Sequence, residues 1–159
     1  MIPVLVKEIA FDMSLSPVVL LVDEAEQRVL PIWVGPFEAQ AIAMAIQGVL
    51  APRPMTHDLI KSLCEHLGVT VRSMIISDIK DGTYFAEMYL QTASGEIIVD
   101  SRPSDAIALA LRTGAKMYIS DKVADYTVSL AELIDESQQE ELQKLLGFEG
   151  PDDYKKSLH

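Results

Sequence analysis

Cysteine occurs once in the 159 residues, at position 64, so no disulfide can form within the chain. A lone thiol fits a reducing compartment, and the cytoplasm is the expected location. Basic residues are scarce: 13 Lys and Arg stand against 24 Asp and Glu, a net charge of −11. A field of that sign does not grip phosphates, so any nucleic-acid contact has to come from a local basic cleft. More than half of the net charge lies beyond residue 120. Aromatics make up 6% of the chain, too few for a continuous track of stacking rings. Apolar runs stop well short of the ~20 residues that cross a bilayer, so no membrane partner is expected. The first residues carry Lys7, Glu8 and Asp12 and do not read as a signal peptide. HExxH, paired CxxC, P-loop and GxSxG motifs are missing, which leaves zincin, zinc-ribbon, NTPase and α/β-hydrolase chemistry without support.

What is there is hydrophobic: 49% of the residues, in a length that suits a single domain with a sizeable core. Residues 41–46 read AIAMAI and residues 106–111 read AIALAL. An offset of 65 residues joins them; it also lays Val34 on Val99 and Gln40 on Asp105. Two strands separated by a polar turn precede each copy. The pattern is a duplicated strand–strand–helix unit, and two copies are too few for a solenoid. Both helices are apolar nearly all round, so they belong in the interior.

Strands are expected at 4–11, 18–22, 29–34, 69–80, 84–90, 96–99 and 117–119. Pro31 cannot donate to a ladder, which places the 29–34 strand at an edge or at a bulge. Asp81-Gly82 is the strongest hairpin signal. Helices are expected at 37–47, closed by Gly48, and from Thr56, a good N-cap, to Gly68. Pro103 suits a first helical position, and Thr113-Gly114 ends that helix. Cys64 sits on an apolar helical stripe and reads as a small core residue. Met44 and Met88 read as core fillers, and Trp33 as core or an oligomer contact. Capping boxes at 129–132 and 137–140 announce helices, the second with Leu142, Leu145 and Leu146 on one side, before a tail at 150–159. The class is α+β: a mainly antiparallel or mixed sheet covered by helices, with a domain at 1–123 and an acidic helical extension at 124–159.

Polar chemistry gathers in two Arg-Pro loops that open helices, Arg53-Pro54-Met55-Thr56-His57-Asp58 and Asp100-Ser101-Arg102-Pro103-Ser104-Asp105. Paired carboxylates hold Mg²⁺ or Mn²⁺, guanidinium forks hold phosphate, and imidazole moves protons near neutrality. Each residue also has a structural reading. Thr56, Asp58 and Ser104 are what helix starts want. His57 is evenly balanced between surface and site. Arg102 can simply pair with Asp100 or Glu38 and tie the two halves together. Three charged groups at one strand end, Asp100, Arg102 and Asp105, exceed what capping needs.

The two loops, RPMTHDL and DSRPSDAIALALR, together with LPIWVGPFEAQAIAMAI, resemble the bifunctional nuclease domain family over roughly residues 4–123. The resemblance implies an α+β fold of duplicated units, a homo-oligomer (dimer or larger), and cleavage of DNA and RNA with low sequence specificity. On that basis His57, Asp58 and Asp105 are the catalytic candidates. Arg53, Arg102 and Ser104 are the phosphate-binding candidates, and Glu38, Asp100 and Asp105 the metal ligands. The cofactor implied is Mg²⁺ or Mn²⁺, with no organic group. The competing reading is a non-catalytic oligomeric module that binds a small anion or a protein partner through the same arginines; the acidic net charge favours it.

Overall fold

A computed structural model describes residues 1–132. Its strands are β1 (Ile2–Phe11), β2 (Pro17–Asp23), β3 (Arg28–Trp33), β4 (Thr70–Lys80), β5 (Thr83–Thr92), β6 (Gly95–Ser101), β7 (Lys116–Ile119) and β8 (Val128–Ser129). Its helices are α1 (Pro36–Gln47), α2 (Thr56–His66), α3 (Pro103–Thr113) and α4 (Asp121–Ala124). All strands join one sheet in the order β6-β5-β4-β7-β1-β2-β3-β8. β7 runs parallel to β4 and antiparallel to β1, and every other pairing is antiparallel. The expected α+β class, with a mixed sheet under helices, is what the chain adopts.

The duplication is larger than a strand–strand–helix unit. Each copy is a three-stranded meander followed by a helix: β1-β2-β3-α1 and β4-β5-β6-α3. β7 lies between the meanders, so the sheet order reads outward from it in the same sense on both sides. The structural correspondence also slips by two residues from the sequence match. Pro36 and Pro103 each open a helix, which pairs Glu38 with Asp105 and Ala39 with Ala106, not Gln40 with Asp105. Alternating alanines match equally well at either spacing, whereas the prolines can occupy only the first turn.

α3 is the centre of the helical layer. It packs on α1, α2, β4, β5 and β7. Ala106, Ile107, Ala108, Leu109 and Ala110 are all buried, because small residues let neighbouring backbones come close on several sides. Beneath lie Val19, Leu21, Leu30, Ile32, Met74 and Ile76, joined by Ile42 of α1. Each such side chain contributes about 1.5–3 kcal/mol by leaving water. β2 is buried on its other face too, through Val18, Leu20 and Val22, with Val29, Ala10 and Leu130 packed beside them. A continuous apolar run is what a strand covered on both faces shows.

Asp81 and Gly82 take φ of 51° and 76°, the left-handed pair a tight hairpin needs. Pro31 pairs with Leu20 on one side, while β8 reaches only Arg28 and Val29 on the other, so its missing N–H faces an open edge. Cys64 is partly buried against the core. Met88 is core, but Met44 is half-buried at a cavity wall, and Trp33 is exposed with its indole N–H on Asp12 at 3.0 Å. Residues 130–132 turn helical directly after Ser129, as the first capping box predicts. The second box, its helix and the tail lie outside the described residues. No helix among the described residues is long and apolar enough to cross a membrane.

Candidate active site

Three helix starts converge. Glu38 is the third residue of α1, His57 the second of α2, and Asp105 the third of α3, with Arg102 immediately before α3. Prolines at Pro36 and Pro103 preset the first turns, so the acidic side chains project from fixed backbone. Free amides at helix starts favour negative charge, which suits both the carboxylates and an incoming anion.

Asp105 is the hub. His57 Nε2 lies 2.9 Å from its Oδ1. Arg102 grips the same carboxylate with two donors, Nε to Oδ2 at 2.9 Å and Nη2 to Oδ1 at 3.2 Å. A third donor, Nη1, reaches Glu38 Oε1 at 3.2 Å. Burial pushes Asp105 toward its neutral form, but hydrogen bonds from Arg102 and His57 outweigh it and hold the carboxyl below its usual range. The hydrogen bonds and charge of Asp105, then of Glu38, hold Arg102 more firmly in its cationic form. An ionised carboxylate only accepts, so His57 Nε2 donates to it and carries the proton. In the neutral imidazole Nδ1 is then the lone-pair nitrogen, aligned by the carboxylate behind it. Arg102 uses three of its five N–H groups on these partners and its side chain is 63% exposed, which leaves donors for a ligand.

Asp58 has a different position. Its Oδ2 accepts from the Met55 N–H at 2.9 Å, and its Oδ1 accepts from Arg112 Nε at 2.9 Å. The Met55 amide is the leading cause of its lowered pKa. Met55, not Thr56, is therefore the residue before the helix, and the cap comes from Asp58 reaching back. Arg112 also donates Nη1 to Ala108 O and Nη2 to Ala41 O, both at 2.9 Å, so one buried guanidinium ties α1, α2 and α3. Sequence reading passed over Arg112. The available signal was a basic residue ending a helix that is otherwise apolar all round.

The remaining candidates lie apart from the hub. Ser104 is buried and lines a cavity on the far side of Arg102. Arg53 is exposed in the loop before α2 and has no ion pair among the described residues. Asp100 is exposed on β6 opposite Glu87 and lines neither cavity beside Arg102. Of the three expected metal ligands, only Glu38 and Asp105 come together, and Arg102 sits between them. No set of three or more His, Cys, Asp or Glu side chains among the described residues is arranged to hold a metal ion. A divalent cation would have to displace the guanidinium, so the residues as placed do not fit a resident ion.

Gly35, before α1, has a close neighbour. A Cβ there would stand 2.2 Å from Glu38 Oε2. The obstacle is the tip of a flexible side chain, so Gly35→Ala should fold normally while pushing Glu38 off Arg102. Circular dichroism and thermal melting are expected to match the parent within a few degrees, while binding of inorganic phosphate changes severalfold. An unchanged phosphate affinity would mean that Glu38 does not tune Arg102.

Comparison with known proteins bears on the same segments. The family model described as bifunctional nuclease domain matches residues 19–130. An uncharacterized protein of Mycobacterium tuberculosis is 37% identical over 151 residues, covering 88% of this chain and 89% of the relative. Bifunctional nuclease 1 of Oryza sativa is 27% identical over 110 residues, covering 67% of this chain and 33% of the relative. Bifunctional nuclease 2 of Arabidopsis thaliana is 28% identical over 112 residues, covering 69% and 34%. The chain thus spans about a third of the plant proteins. The match takes in both helix-opening loops and all three helices that build the Asp105 hub: this chain belongs to the bifunctional nuclease domain family.

Proposed function

We propose that the chain is a phosphodiesterase acting on DNA and RNA with low sequence specificity, and that the His57–Asp105–Arg102 hub is its active site. The observation that carries this reading is the carboxylate-oriented histidine beside an exposed, partly unsatisfied guanidinium. His57 Nδ1 takes a proton from the attacking hydroxyl or water as its oxygen bonds to phosphorus; the P–O bond to the leaving oxygen breaks, and the imidazolium, steadied by Asp105, gives the proton to that oxygen. The free donors of Arg102 hold the non-bridging phosphate oxygens as charge builds on them. Asp58 and Arg112 act at one remove by holding the start of α2. A homo-oligomer belongs to the same reading: Leu59 and Leu63 of α2, with Leu67 directly after it, form an exposed stripe that a second copy would cover. The cytoplasm suits the lone free cysteine.

The test is degradation of single- and double-stranded DNA and RNA by tag-free protein, with Mg²⁺, with Mn²⁺ and with EDTA. Asp105→Asn is run alongside. Cleavage is expected to persist in EDTA and to fall at least about 100-fold in the variant, the low end for loss of acid–base assistance. Loss in EDTA with recovery in Mg²⁺ or Mn²⁺ would mean that an ion displaces Arg102 from Glu38 and Asp105. Cleavage unchanged in Asp105→Asn, or absent throughout, would leave the non-catalytic anion- or protein-binding module as the better reading, in keeping with the net charge of −11.

A further inference from the structure

Arg102 stands on a ridge between two cavities. One, about 260 Å³, holds His57 and Asp105, with Phe37, Met44 and Met55 as its apolar wall. The other, about 350 Å³, lies across Glu38 and Arg102 and is lined by Trp33 and Tyr84. Glu38 and Arg102 line both. Each cavity therefore has an aromatic ring and the guanidinium among its lining groups. These rings are not core residues: Phe37 is 84% exposed and Trp33 is 58% exposed. Single exposed apolar residues need no explanation, but an exposed aromatic in each of two cavities that share one arginine forms a pattern. Phe37 sits one residue before Glu38 at the start of α1, so the proline that presets the helix also sets the ring beside the hub. The Trp33 ring edge is held by Asp12.

We propose that the two cavities are nucleobase subsites, and that the ligand is a dinucleotide step of unpaired single strand with its linking phosphate on Arg102. The proposal rests on the phosphodiesterase reading and names its substrate class. Stacking on an aromatic face tolerates any base, which matches low sequence specificity. A base in a duplex is already stacked and paired, and entering either cavity would require flipping it out at a further cost. The scarcity of aromatics argues against a long stacking track, and two rings suffice for one step. A contact between copies of the chain is the competing use of these rings. It is disfavoured because it would cover the exposed arginine whose donors remain free.

Trp33 is the sole tryptophan, so its emission reports directly on one subsite. The full chain carrying His57→Gln, to stop turnover, is titrated with a single-stranded mixed-sequence dodecamer, its duplex, and inorganic phosphate. The expected result is saturable quenching by the single strand, with at least tenfold weaker binding of the duplex and no quenching by phosphate. Phe37→Ala in the same background should weaken the single strand about tenfold, within the range for losing one stacking ring, while Phe37→Trp should retain affinity. Equal affinity for duplex, absence of quenching, or indifference to Phe37→Ala would overturn the proposal. So would a fall in molecular mass on Phe37→Ala, by light scattering without nucleic acid, because the ring would then belong to a contact between copies. Binding that depends on Phe37 in a chain whose parent never cleaves would uphold the subsites and sink the phosphodiesterase reading. Cleavage without that dependence would do the reverse.

Discussion

His57→Ala is expected to lower cleavage by about 10²- to 10⁴-fold, the usual contribution of a positioned proton-transfer group. The imidazole is buried and its one partner among the described residues is Asp105. Removing it deletes the only candidate base in the cavity, among the described residues, that is not already bound to a cation. Asp105 cannot take over. Its two oxygens are held by Arg102, and its affinity for protons is lowered by those bonds. The loss should fall on kcat more than on KM, since Arg102 still meets the phosphate. Added imidazole should recover part of the rate through the vacated space. A rate within threefold of the parent would remove His57 from the chemistry.

The second large effect concerns folding. Arg112→Ala is expected to destabilise by about 1.5–3 kcal/mol, the range for losing hydrogen bonds of a charged group. The guanidinium is 9% exposed, and its loss leaves Asp58 Oδ1 and two helix carbonyls without their donor. For a chain of this size that is a fall in melting temperature of about 3–12 °C. Arg112→Lys should recover little, because an ammonium cannot make the three directed bonds of a planar fork. Arg102→Ala is the contrast. That side chain is 63% exposed, and exposed pairs contribute only about 0–1 kcal/mol, so the melting point should barely move while phosphate binding collapses. Equal melting shifts in the two variants would contradict the division into a brace and a site.

Local chemistry made much of this legible in the amino-acid order. Asp81-Gly82 demanded a left-handed pair and received one. Pro103 marked a helix start, and Pro31 marked an edge or a bulge. The two Arg-Pro loops contained His57, Arg102 and Asp105, which meet although they are far apart in the chain. What escaped was set by long-range geometry. No local pattern places β7 between the two meanders. The repeat was read two residues out of step because alternating alanine and aliphatic residues match themselves at more than one spacing. Asp100 looked like a site residue from its nearness to Arg102 in sequence, but a strand end and the following helix start need not face one way. Arg112 looked like a helix end, and only the packing of α1 and α2 makes it a tie. Met44 lost its place in the core because its helix face meets the cavity beside Arg102.

Glu38 and Asp105 hold equivalent places in the two halves, yet they share a single guanidinium. The residue equivalent to Arg102 in the first half is Gly35, and the absence of a side chain there is what lets Glu38 fold across. A twofold plan has thus converged on one charged cluster, with the first half contributing a carboxylate and the second an arginine and a carboxylate. Titration with any tight phosphate analogue should accordingly saturate at one equivalent per chain, and neither half expressed alone should retain the stoichiometry.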